Sequence, residues 1–170
     1  MTCQFKKGGA IITGKTHMAG GLVAGITLSY MTNLDPATLT AAGVVGGLLP
    51  DICHSGSKIG RKFPVLSRTV NLMFGHRTFT HSLLFLLIMA VVLIKFVSNE
   101  AITVGILAGM VSHFILDAAT KNGIKLFYPF KMTVRFPVTT TTGGMVEYIV
   151  LTFLVLFIVC FGQSVIAPYL

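Results

Sequence analysis

HSLLFLLIMAVVLIKFV, residues 81–97, decides the fold. It is a run of seventeen residues whose single Lys or Arg, Lys95, comes near its end, and it contains neither Gly nor Pro. A helix that crosses a bilayer needs about 17–25 mostly apolar residues. Four further segments come close: 17–31, 37–52, 101–119 and 146–167. The first two are short and rich in glycine, with Gly20, Gly21 and Gly25 in one and Gly43, Gly46 and Gly47 in the other. Small residues let helix backbones approach closely in lipid, so this pair reads as packed inside a bundle, with a partly re-entrant pair as the alternative. The expectation is an all-α, polytopic membrane helix bundle with about five transmembrane helices, forming one integral membrane domain over residues 1–170. Composition agrees: 54% of residues are hydrophobic and 11% charged, against about 45–50% and about 25% in soluble domains. An ordinary soluble domain and a disordered chain are both excluded.

The charges give an orientation. Lys6, Lys7 and Lys15 precede the first segment; Lys58, Arg61, Lys62, Arg68 and Arg77 lie between the second and third; Lys121, Lys125, Lys131 and Arg135 lie between the fourth and fifth. Only Lys95 stands apart, at a helix end from which it can snorkel. The opposite loops carry Asp35 and Glu100. The positive-inside rule then puts the N-terminus in the cytoplasm and the C-terminus outside. The net charge of +8 is a signal of topology and gives no reason to expect a nucleic-acid partner. Lys15 and His17 interrupt the first apolar run too early for a cleaved signal peptide. Cys3, Cys53 and Cys160 are an odd set that suggests no disulfide framework. The stretch PVLSRTVNLMFG, residues 64–75, suits a short interfacial helix.

The five histidines and three of the five acids gather on the basic side. His17 opens the first segment. Asp51 and His54 close the second, His76 and His81 open the third, His113 and Asp117 close the fourth, and Glu147 opens the fifth. Asp51 and His54 are three apart and share a face if the helix continues past Pro50; His113 and Asp117 are four apart and do so one turn from each other. A membrane-buried Asp costs about 2.5–3.5 kcal/mol on insertion scales and normally faces the bundle interior. A metal ion offsets that cost, and His with carboxylates suits Zn, Mn or a similar divalent ion. Eight donors exceed what one four-coordinate zinc needs. They suit two metals about 3.5–4 Å apart, which the count favours, or one metal with an elaborate outer shell. Taken singly, each residue has a plainer reading: helix-end histidines are commonly structural, and Glu147 complements a helix dipole. The joint placement is what those readings leave unexplained.

A weak internal repeat runs through the same residues. AGVVGGLLPD (42–51) aligns with AGMVSHFILD (108–117) at four identities, and the dipeptide Thr16-His17 recurs as Thr80-His81. A parallel repeat about the membrane normal accounts for this; chance similarity between two small-residue helices does so equally.

THMAGG (16–21), LLPDICHSGSKIGRK (48–62), HRTFTHSL (76–83) and SHFILDAATKNGIKLFYPF (112–130) resemble the motif series of the YdjM-type membrane-bound metal-dependent hydrolases, a bacterial family whose founding member is regulated by LexA. The resemblance covers about residues 17–129, and Glu147 fits beyond it. It implies a multi-pass protein of the bacterial inner membrane with a hydrolase site. One position departs: the family often shows a second Asp in its PDID stretch, where this chain has Cys53. A thiolate can bind zinc, and a lone Cys can also simply fill space.

The leading expectation is a cytoplasm-facing hydrolase using a divalent metal, Zn or Mn. His17, Asp51, His54, His81, His113 and Asp117 are the candidate ligands, and His76, Arg77 and Glu147 the candidate catalytic residues. Arg77 suits an anionic oxygen, so a phosphoester or lipid-like substrate at the membrane surface follows. Two rivals use the same sequence: a metal or proton transporter, disfavoured by the aliphatic middles of the third and fifth segments, and a structural or holin-like membrane protein.

Overall fold

The computed structural model describes residues 14–54, 56–74, 78–137 and 144–166. Among them the architecture is all-helical, with one isolated antiparallel bridge, Ile124 to Val134, and no strand. Eight α-helices follow in order: α1 (Gly14–Met31), α2 (Pro36–Leu48), α3 (Lys58–Lys62), α4 (Pro64–Phe74), α5 (Leu83–Phe96), α6 (Glu100–Ala118), α7 (Met145–Phe161) and α8 (Gln163–Ile166). Short 3-10 turns, Leu49–Cys53 and Phe79–His81, precede α3 and α5.

Local chemistry sets the boundaries. Asp35 caps α2 by accepting from the Thr38 N–H at 2.8 Å, with Pro36 next to it in the first turn. Pro50 has no N–H to continue the α-helical ladder, so α2 gives way to the 3-10 turn. Ser82 caps α5 through the Phe85 N–H, and Asn99 caps α6 through the Ile102 N–H. The stretch expected to form an interfacial helix is α4.

The centre of the bundle is α1, α2 and α6, joined by glycine. A Cβ on Gly21 would overlap the Gly43 carbonyl oxygen, and one on Gly109 would overlap it from the other side. Helices α2 and α6 run parallel in one register. The Gly105 Cα faces the Leu39 carbonyl, Gly109 faces that of Gly43, and the His113 ring bonds that of Gly47. Each pair is 66 residues apart, the offset between AGVVGGLLPD and AGMVSHFILD. Matching positions of the two copies thus meet at three levels of the contact. Helix α7 lies parallel to α1 and is fastened at both ends. The Thr16 hydroxyl donates to Glu147 Oε1 at 3.0 Å, and the Tyr30 hydroxyl donates to the Phe161 carbonyl at 3.1 Å.

Five spans were expected. Among the described residues two stretches, Pro36–Cys53 and Glu100–Ala118, are long and apolar enough to cross a membrane by length and composition. Leu83–Phe96 and Met145–Phe161 are apolar but shorter. At about 1.5 Å per residue, α5 rises about 21 Å. It starts two residues later than expected because Phe79–His81 form a separate turn and Ser82 supplies the cap. Helices α5 and α7 turn aliphatic and aromatic side chains outward, with Ile94 70% and Phe153 69% exposed. Soluble monomers rarely expose contiguous apolar faces of that kind.

The packing predicts that Gly109→Val destabilises the bundle by about 1–3 kcal/mol through overpacking. Ile94→Ala on the outward face should stay within about 0.5 kcal/mol. Thermal unfolding in detergent, followed by circular dichroism, compares the two.

Candidate metal centre

Five side chains meet at one end of the bundle. Helix α1 supplies His17 from its first turn, the 3-10 turn after α2 supplies Asp51, the turn before α5 supplies His81, and the last turns of α6 supply His113 and Asp117. His17, His81, His113 and Asp117 have no exposed surface and Asp51 has 3%.

Asp117 stands at the middle. Its Oδ1 is 3.5 Å from His17 Nε2, and its Oδ2 is 3.2 Å from His81 Nε2 and 3.5 Å from His113 Nε2. Asp51 Oδ1 lies 3.9 Å from His81 Nε2 and 4.0 Å from His113 Nε2. The His17 and His113 rings stack with centroids 3.7 Å apart. Each carboxylate reaches a histidine of the other repeat copy, Asp117 to His17 and Asp51 to His81.

The hydrogen bonds fix which nitrogens face inward. His113 Nδ1 lies 2.7 Å from the Gly47 carbonyl, which can only accept, so Nδ1 carries a hydrogen and Nε2 is the nitrogen that faces inward. His81 Nδ1 lies 3.0 Å from Thr80 Oγ1. The two Nε2 atoms face each other at 3.2 Å. Both His17 ring nitrogens and Asp51 Oδ1 are buried with no hydrogen-bond partner, whereas roughly 90% or more of buried polar groups have one.

This donor set fits a divalent ion. Two nitrogens bound at about 2.0–2.1 Å to a tetrahedral zinc stand about 3.3 Å apart, close to the observed 3.2 Å. Two triads of potential ligand atoms, His17 with Asp51 and His113, and His81 with His113 and Asp117, each lie within 4.8 Å. They share His113, whose Nδ1 is already committed to Gly47.

The other sequence candidates fall elsewhere. His54 was expected on the face of Asp51, but the 3-10 turn ends at Cys53 and His54 is extended (φ −106, ψ 108). Its half-buried ring lies against Gly56, outside both triads. Glu147 is buried in the first turn of α7 and accepts from Thr16, the neighbour of His17; it belongs to neither triad. His76 and Arg77 lie outside the described residues, as do residues 139–142. Cys53 is fully buried, and its Sγ accepts from Thr80 Oγ1 at 3.2 Å. Sequence reasoning did not assign functions to Thr80 or the Gly47 carbonyl. The repeated Thr-His dipeptide was the signal available for Thr80; nothing in a glycine's identity marks its carbonyl.

A family described as YdjM inner membrane protein matches residues 12–167. The chain belongs to the YdjM inner membrane protein family. It is 50% identical over 145 residues, 85% of this chain and 91% of the relative, to the uncharacterized protein YvsG of Bacillus subtilis (strain 168). The inner membrane protein YdjM of Escherichia coli (strain K12) is 31% identical over 112 residues, 62% of this chain and 57% of the relative. The inner membrane protein YbcI of the same organism is 30% identical over 115 residues, 64% and 61%. No solved structure matches. The YdjM family membership and the outward apolar faces of α5 and α7 agree on a membrane environment.

Because Thr16 donates to a buried carboxylate, Thr16→Val should cost about 1.5–3 kcal/mol, the range for hydrogen bonds to charged groups. Thr16→Ser, which keeps the hydroxyl, should cost less. Chemical denaturation of the purified variants provides the comparison, and equal losses would contradict the assignment.

Proposed function

We propose that this protein is a multi-pass, membrane-bound, metal-dependent hydrolase whose centre faces the cytoplasm. The observation that carries the metal is the 3.2 Å approach of His81 Nε2 to His113 Nε2. Two imidazoles that meet Nε2 to Nε2, with Asp117 and Asp51 beside them, would hold a divalent cation. A shared proton would satisfy that pair but would leave Asp51 Oδ1 unmatched. Three imidazoles and two carboxylates suit Zn or Mn. The shared His113 nitrogen favours one ion over the two that the donor count suggested.

When bound, such an ion supplies a Lewis acid and lowers the pKa of a coordinated water to about 7. The protein side chains have separate tasks. His113 and His81 are held with Nε2 inward, and burial of all five donors keeps bulk water from competing for them. Glu147, held by Thr16 beside His17, suits acceptance of a proton from a nucleophile. Arg77 suits an anionic oxygen through its planar fork, and its neighbour His76 suits proton donation to a leaving group. A phosphoester or lipid-like substrate matches these roles and the cations at the same end of the bundle, where Lys121, Lys131 and Arg135 are exposed.

The same cations support five crossings with the end preceding α1 in the cytoplasm. The parallel run of α1 and α7 is what an odd number of crossings requires. Helices as short as α5 are accommodated by local bilayer thinning.

Purified protein should carry about one equivalent of divalent metal, and His113→Ala and Asp117→Ala should lose it while still inserting in the membrane. Unchanged metal content in both variants would sink the assignment. Hydrolysis, screened on phosphoesters and lipids, should vanish on metal depletion and return with Zn or Mn. Turnover indifferent to chelation would contradict the mechanism. An alkaline phosphatase fused after Ser98 should be active, because that loop is placed outside.

A further inference from the structure

Cys53 lies in the same 3-10 turn as Asp51, and its surroundings give it a task. Three hydrogen bonds run in series. His81 Nδ1 lies 3.0 Å from Thr80 Oγ1, Thr80 Oγ1 lies 3.2 Å from Cys53 Sγ, and Cys53 Sγ lies 3.6 Å from the Pro50 carbonyl. Thr80, His81 and Cys53 are all buried. The last group sets the direction of the whole series. A carbonyl only accepts, so the Cys53 S–H donates to Pro50. The sulfur then receives the Thr80 hydroxyl hydrogen. The Thr80 oxygen in turn receives the His81 Nδ1–H, and His81 Nε2 faces His113 and Asp117.

We infer that Cys53 and Thr80 are positioning residues that hold His81 as its Nδ1–H tautomer and so present Nε2 to the metal centre, with Cys53 acting as a neutral thiol and not as a ligand. The relay ends on Pro50, in the same 3-10 turn as Asp51. The orientation of His81 and the placement of Asp51 are therefore tied to one another. His113 reaches the same outcome through the Gly47 carbonyl, one step from its ring. Both imidazoles thus take their tautomer from the backbone at the end of α2, one directly and one through two side chains. Outer partners of metal-bound histidines commonly act in this way, and their loss weakens metal affinity by about 10–100-fold.

The consequence for metal affinity rests on the proposed centre; the tautomer does not. Metal-stripped protein labelled with 15N-histidine should show His81 protonated at Nδ1. Thr80→Val should move it toward the Nε2–H form, while Thr80→Ser and Cys53→Ser, which keep a hydroxyl in each place, should leave it unchanged. In Co2+ titrations Thr80→Val and Cys53→Ala should bind about 10–100-fold more weakly than wild type, with Cys53→Ser close to wild type. Unaltered tautomer and affinity in Thr80→Val would overturn the relay. So would a thiolate-to-cobalt charge-transfer band that disappears in Cys53→Ser, because Cys53 would then be a ligand. Absence of Co2+ binding by wild type would instead remove the metal reading and leave the histidine spectrum to decide the relay.

Discussion

The Gly47 carbonyl takes the Nδ1 hydrogen of His113 at 2.7 Å, and the rest of the centre depends on that bond. It commits one nitrogen and points the other at His81 and Asp117. It also ties α6 to α2 at the level where the ligands meet. A rotated His113 ring would lose its stacking on His17 and its 3.5 Å approach to Asp117 together. The donors come from four separate segments, so their convergence belongs to tertiary packing.

That packing is possible because the central helices lack side chains where they cross. Gly43 is approached by Gly21 of α1 and by Gly109 of α6. A methyl group at any of these positions would push the backbones apart and would open the ligand end as well. Gly105, Gly109 and His113 meet Leu39, Gly43 and Gly47 at one offset of 66 residues, the offset between the two repeat copies. Each half of the chain then contributes one Thr-His pair and one Asp, and each Asp meets the histidine of the other half. Helices α5 and α7 add an apolar exterior around this frame. Glu147 brings α7 to the same end through Thr16.

Much of this was legible in the sequence. The apolar runs and the glycine spacing gave an all-helical bundle with α1 and α2 inside it. The clustering of His17, Asp51, His81, His113 and Asp117 at one end followed from their places at segment ends on the basic side. The pairing of His113 with Asp117 followed from helical periodicity, which holds because α6 is unbroken. Periodicity failed at His54, because Pro50 replaces the α-helix with a 3-10 turn that ends one residue too soon. It also failed to give the lengths of α5 and α7, since caps such as Ser82 depend on backbone geometry that hydropathy does not register. The relay through Thr80 and Cys53 joins residues 27 apart in the chain, and the Gly47 contact uses a backbone atom; neither leaves a trace in residue identity alone.

The central claim is that His17, His81, His113, Asp51 and Asp117 would hold a divalent ion. X-ray absorption at the metal edge of the protein purified in lipid nanodiscs tests it most directly. The account predicts a shell of nitrogen and oxygen only, with the multiple scattering of three imidazoles and no sulfur. A protein that retains no metal after supply with Zn and Mn, or a shell containing sulfur, would contradict it.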